Sequence, residues 1–165
     1  MVAKKVVRLI TALTLALLAR AAEARDYGRP RSFIASPGAG HEEPMSVSPS
    51  LGISADYGLE LGAKLDYLLV DPGFVPGIND TVYLEGALFF ADASLFIAPE
   101  LRWDFNLHPQ WTVYGEGGLE LGLGKDVRLV VCAGAIWHMP GHAWSLRGEV
   151  DAAHDTARVG AMIPI

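Results

Sequence analysis

The chain has 165 residues and a formal charge of −6, a length that suits one domain and an acid excess that argues against nucleic acid as a partner. Its single cysteine, Cys132, rules out an internal disulfide, so whatever fold it adopts must be held by hydrogen bonding and packing. Nothing in the composition points to a cofactor.

The first segment reads as an export signal. Lys4, Lys5 and Arg8 precede an apolar stretch from Leu9 to Ala19, and Ala22-Glu23-Ala24 places small residues where a signal peptidase reads them. Residues 1–24 are therefore expected to be a signal peptide cleaved before Arg25. A membrane-spanning helix needs about 20 apolar residues, and Arg20 interrupts this run well short of that. Cleavage removes four basic residues and one acidic residue, taking the formal charge from −6 to −9. Cys132 lies far from the leader and is read as a small filler of an interior rather than a lipid-attachment site.

Residues 25–45 contain Gly28, Pro30, Pro37, Gly38, Gly40 and Pro44 without an apolar period, the mark of a flexible arm. From 46 to 165 the chain alternates. In Leu101-Arg102-Trp103-Asp104-Phe105-Asn106-Leu107 every odd position is apolar and every even one polar, and the same period of two runs through residues 59–67 and 144–152. Turn residues punctuate the alternation and give eight strands, at 46–55, 59–70, 81–90, 95–107, 111–123, 127–138, 144–153 and 156–165. Residues flanking a hairpin loop share a face, so odd loops keep the phase and even loops reverse it. The apolar phase follows this rule from strand to strand, which requires no slip of register. The expected fold is all-β: a single antiparallel up-and-down barrel.

The aromatic residues decide which face is outside. Tyr67, Trp103, Phe105, Trp111, Trp137 and Trp144 lie near the end of the meander that also carries both termini, and all belong to the apolar face. A belt at a membrane interface explains this; a soluble core gives no reason to gather four tryptophans in one end layer. The polar face then lines the lumen with Glu60, Lys64, Asp66, Glu85, Glu100, Arg102, Asp104, Glu116, Glu120, Arg128, Arg147, Glu149, Asp151 and Arg158. Nine acids oppose five bases, and buried charges persist only when paired. The hairpin registers expected from the turns set Arg102 across from Glu116, Asp151 across from Arg158, and Glu85 across from Glu100, with Arg102 bridging that pair of carboxylates. Eight strands leave room for side chains to fill the interior, so a general-diffusion pore is not expected.

The leader, the eight strands and the stretch Trp111-Thr112-Val113-Tyr114-Gly115-Glu116-Gly117-Gly118-Leu119-Glu120-Leu121-Gly122 resemble the small outer-membrane barrels of the OmpA and OmpX type, whose strands often carry such Tyr- and Gly-rich runs. The resemblance implies a Gram-negative outer-membrane location, with outer-membrane lipid as the partner and a structural or surface-interaction role. The chain departs from that family's pattern by ending in Ile165 rather than Phe or Trp, and by placing its longest connection, 71–80, at the termini end.

Four other readings bear on function. A soluble periplasmic barrel would turn the apolar face inward around an apolar ligand. A lipid-modifying enzyme would need a serine beside a histidine and an acid; His142, Ser145 and Glu149 are close in sequence, but Ser145 and Glu149 face the lumen by parity, so the expectation is a non-enzyme. His108, His138 and His142 come from neighbouring turns, and without three or four converging ligands they read as polar rim residues rather than a zinc site. The run from Gly115 to Gly122 lacks the strand-to-helix context of a phosphate loop.

Overall fold

The computed structural model describes residues 33–39, 43–123 and 127–165. The expected signal peptide, residues 25–32 and 40–42 of the arm, and the Gly124–Asp126 turn lie outside the described residues. Eight strands follow in order: β1 (Met45–Ser54), β2 (Gly58–Val70), β3 (Asp80–Ala91), β4 (Ser94–His108), β5 (Trp111–Gly122), β6 (Val127–His138), β7 (Ser145–Asp151) and β8 (Thr156–Pro164). Each is antiparallel to the next, and β8 pairs with β1 from Ser46 opposite Pro164 to Ser54 opposite Thr156, which closes a barrel. Closure removes the open sheet edges that a lipid-facing sheet could not tolerate.

The strands are staggered as well as closed. Opposed residues followed around the wall from Val127, through Leu121, Ile97 and Leu88 and on to Leu146, come back to β6 at Trp137, the other end of the same strand. That displacement is the shear of a barrel whose strands tilt strongly to its axis. β7 is short and pairs with β6 only from Cys132 to His138; above it, the Ala152 amide donates to the Val131 carbonyl at 3.0 Å.

Local conformation explains where the turns differ from the sequence expectation. Asp92 and Ala93 both have positive φ, 47° and 54°, and link β3 to β4 as a two-residue turn where four loop residues are expected. The register is not free of slips, because bulges fall between Leu68 and Val70 and between Asn106 and His108. Both sit at the termini end, where a bulge adds a residue without disturbing the alternation farther along the strand.

The faces are partitioned as in a membrane barrel. Leu59, Leu129 and Val127 are 63%, 62% and 61% exposed, while Lys64, Asp66, Glu85 and Arg102 are almost wholly buried. A soluble ligand-binding barrel would show the reverse. Glycines facing the lumen answer to close approach: a Cβ on Gly134 would lie 2.3 Å from the Tyr114 ring, and one on Gly118 only 2.2 Å from the Pro99 carbonyl oxygen. Gly115 points outward and has no such neighbour within 4 Å.

Candidate functional site

Among the described residues, buried side chains occupy the lumen in layers. At its centre the ammonium of Lys64, from β2, lies 2.7 Å from Glu85, 3.2 Å from Glu100, 2.5 Å from Glu116 and 3.0 Å from Glu149. Those four carboxylates come from β3, β4, β5 and β7, so one flexible side chain ties five strands across the interior. Arg147 forks onto Glu85 and Glu116 at 2.6 and 2.5 Å, and its Nε donates to the Tyr114 hydroxyl at 2.8 Å. Arg102 pairs with Asp66 at 2.7 Å, Asp104 at 2.9 Å and Glu85 at 3.1 Å, with its guanidinium 4.4 Å from the Tyr83 ring centre. Arg158 pairs with Glu60, with Glu149 at 3.2 Å and with Asp151 at 3.9 Å, over the ring of Phe89.

Two pairings expected from the sequence differ. Glu85 does stand opposite Glu100, but Lys64 is the cation common to both; Arg102 reaches Glu85 and not Glu100. Across the β7–β8 hairpin Arg158 stands opposite Glu149, and Asp151 stands opposite Thr156. The cause is the turn: residues 152–155 all belong to it, with Asp155 at a φ of 47° and the Ala153 amide bonded to the Asp151 carboxylate at 2.9 Å. A turn longer by two residues shifts every partner by two and leaves each residue on its face. Arg102 is opposite Glu116 along the wall, yet Glu116 is held by Lys64 and Arg147.

Toward the mouth remote from the termini, Ala87, Phe89, Ala91, Phe96, Ala98, Val130 and the free, buried Cys132 form an apolar layer. Tyr57 covers it, 5.2 Å from Phe96 and 5.3 Å from the Arg128 guanidinium. In the adjacent turn, His154 Nδ1 lies 2.7 Å from the Asp151 carboxylate, a hydrogen bond that raises the affinity of His154 for its proton above the ordinary value; burial opposes this and the charge of Asp151 supports it. Among the described residues the charged layer holds a cavity of about 10 Å³ beside Ser48, Ser50 and Arg158, no larger than one water.

The aromatic residues ring the outside of the termini end. Trp103 stacks on Phe105 at 5.3 Å and Trp111 on Trp137 at 6.2 Å; Trp144 lies 6.0 Å from His142, and Tyr67 is over half exposed. Phe74, which sequence reasoning missed because it lies in the 71–79 connection, joins them edge-on to Trp103. The Trp103 indole donates to Asp80 at 2.8 Å, the polar contact an interfacial tryptophan needs.

The histidine readings resolve geometrically. Ser145 bonds His138 at 3.0 Å rather than His142, and Glu149 is held by Lys64, Arg147 and Arg158, so His142, Ser145 and Glu149 are not joined. His108 accepts the Gln110 amide, away from the Ser145 and Thr112 contacts of His138. Among the described residues, the groups close enough to surround an ion are Glu85 with Glu100 and Glu116, and Glu116 with Cys132 and Glu149; Lys64 already lies against carboxylates of both.

No protein-family model and no curated protein matches the sequence. Among solved structures the chain is similar to a de novo designed transmembrane β-barrel, with a TM-score of 0.63 and 14% identity over 76% of this chain and 98% of that one. It is also similar to the designed barrel TMB2.3 solved by solution NMR, with a TM-score of 0.60 and 12% identity over 74% and 94%. A third likeness is to the outer membrane enzyme PagL, with a TM-score of 0.46 and 16% identity over 73% and 99%. With the inside-out partition of charge, the likenesses to the two designed barrels define the fold as a small transmembrane-type barrel: closed, antiparallel and eight-stranded.

Proposed function

We propose that the chain is a non-enzymatic outer-membrane barrel of a Gram-negative bacterium, with lipid as its surrounding partner and a structural or surface-interaction role. The observation that carries the reading is the filled, cross-paired lumen inside an apolar wall. A wall of exposed leucine, valine and isoleucine needs hydrocarbon around it, and an interior packed with ion pairs argues against a bore for solutes. The short turns concentrate what such a protein can offer a partner in its rims and its outer face.

Fractionation of cells expressing the full chain tests the location. Recovery with outer membranes, extraction only by detergent, and a gel mobility that changes on boiling are the expected results; release into the soluble periplasm without detergent would overturn the reading. In planar bilayers the folded protein should show no steady pore-sized conductance.

A further inference from the structure

The last layer of the lumen at the termini end is buried where an open mouth would leave it exposed. Asn106 lies two residues inside the end of β4, Thr112 is second in β5 and Ser145 is first in β7, yet their exposures are 5%, 1% and 8%. One chain of hydrogen bonds runs through them. The Thr112 hydroxyl donates to Asn106 Oδ1 at 2.8 Å and meets His138 Nε2 at 2.9 Å, and His138 Nδ1 meets the Ser145 hydroxyl at 3.0 Å.

Outward of this layer stands Asn79, immediately before β3 and 1% exposed. Its carbonyl accepts the Asn106 amide at 2.9 Å, and its side-chain oxygen accepts from Asn106 Nδ2 at 3.5 Å. Its own donors go to the segment ahead of the barrel: the backbone amide to the Ile34 carbonyl at 2.6 Å and Nδ2 to the Ala39 carbonyl at 2.7 Å. The segment is folded to present both carbonyls together. A 3-10 turn spans Phe33–Ala35, the Ser36 amide donates to Phe33 and the Ala39 amide donates to Ser36.

A buried asparagine is tolerated only when its amide is satisfied. Here the satisfaction comes from residues 33–39, so burial of Asn79 and docking of the segment are one event. The segment itself has no buried residue, and an element held by a few hydrogen bonds with little apolar burial opens more readily than the strands it rests on. We propose that residues 33–39 are a strap latched across the termini-end mouth of the lumen by Asn79, and that its release admits solvent to the layer of Asn106, Thr112 and Ser145.

The test is thiol accessibility in the full chain, folded in detergent, with Cys132→Ala removing the native thiol. Thr112→Cys places a reporter beneath the strap, and Gln110→Cys places one on the adjacent exposed turn. A charged methanethiosulfonate reagent should modify the first at least roughly tenfold more slowly than the second, and Asn79→Ala should remove most of that protection. Ala39→Pro breaks the strap's bond to Ser36 without touching a strand, and should deprotect the same thiol even if Asn79→Ala folds poorly. Equal rates for the two reporters in the parent chain would overturn the strap. Protection that survives both Asn79→Ala and Ala39→Pro would also overturn it.

Discussion

Lys64→Met is the most informative single change. The loss is unequal among the four carboxylates that Lys64 touches. Glu85, Glu116 and Glu149 keep Arg147, and Glu149 also keeps Arg158. Glu100 has no other cation against it among the described residues, and its second oxygen already lacks a hydrogen-bond partner. Breaking a buried pair by removing one member costs about 3–5 kcal/mol, because the other charge stays behind uncompensated. Glu100→Gln alone removes a carboxylate from an acid-rich interior and should shift stability by no more than about 1 kcal/mol. The double variant should then recover much of the loss, with a coupling of about 2–3 kcal/mol. Urea unfolding of the barrel in lipid vesicles measures this, with the outward tryptophans as fluorescence reporters. A cost for Lys64→Met below about 1 kcal/mol, or no rescue by Glu100→Gln, would refute the assignment of Lys64 as the hub.

Other substitutions probe the two faces and the rim. Leu129→Arg should cost about 2–4 kcal/mol if that residue faces the bilayer midplane, and the inward Val130→Thr should cost less; equal losses on the two faces count against the lipid assignment. Gly118→Ser is not a mild inward change, since its Cβ would meet the Pro99 carbonyl, and we expect an overpacking cost of about 1–3 kcal/mol or more. Arg102→Met should destabilise more than Glu85→Gln, because it strips Asp104 and Asp66 of a cation while Lys64, Arg102 and Arg147 each keep another carboxylate when Glu85 is neutralised; the reverse order in the same assay would sink this account of the lumen. His154 binds its proton more tightly in the folded state, so its contribution is complete below its ordinary pKa of about 6.5 and is lost as pH rises through the raised folded value. The stability difference between the parent and His154→Gln should therefore shrink as pH rises above about 6.5, and a pH-independent difference would remove the role given to the Asp151 contact.

Why the faces could be read from the sequence and the partners could not has a physical answer in two residues, Arg158 and Lys64. Alternation fixes which side of the wall a residue faces, and an error of two residues in a turn leaves that untouched. Arg158 is inside whether the β7–β8 turn has two residues or four; whether it meets Asp151 or Glu149 depends wholly on that choice. Lys64 is harder still, because its neighbours along the wall are the uncharged Ser48 and Ala87. Its partners lie across the lumen, and contacts across a barrel are set by strand number and stagger, which no local window of sequence contains. The strap was equally hidden, since residues 33–39 have no apolar period and dock through backbone carbonyls, which any residue supplies. Cross-lumen pairing has a further consequence for cooperativity. Lys64 and Arg158 together engage acids on β2, β3, β4, β5 and β7, and Ser46 on β1 bonds Asp66 on β2 at 2.7 Å, so the charged layer spans nearly the whole circumference. It can form only once the barrel has closed. In this chain the ion pairs occupy the place an apolar core holds in a soluble domain, and loss of their hub should loosen distant strands together rather than one hairpin at a time.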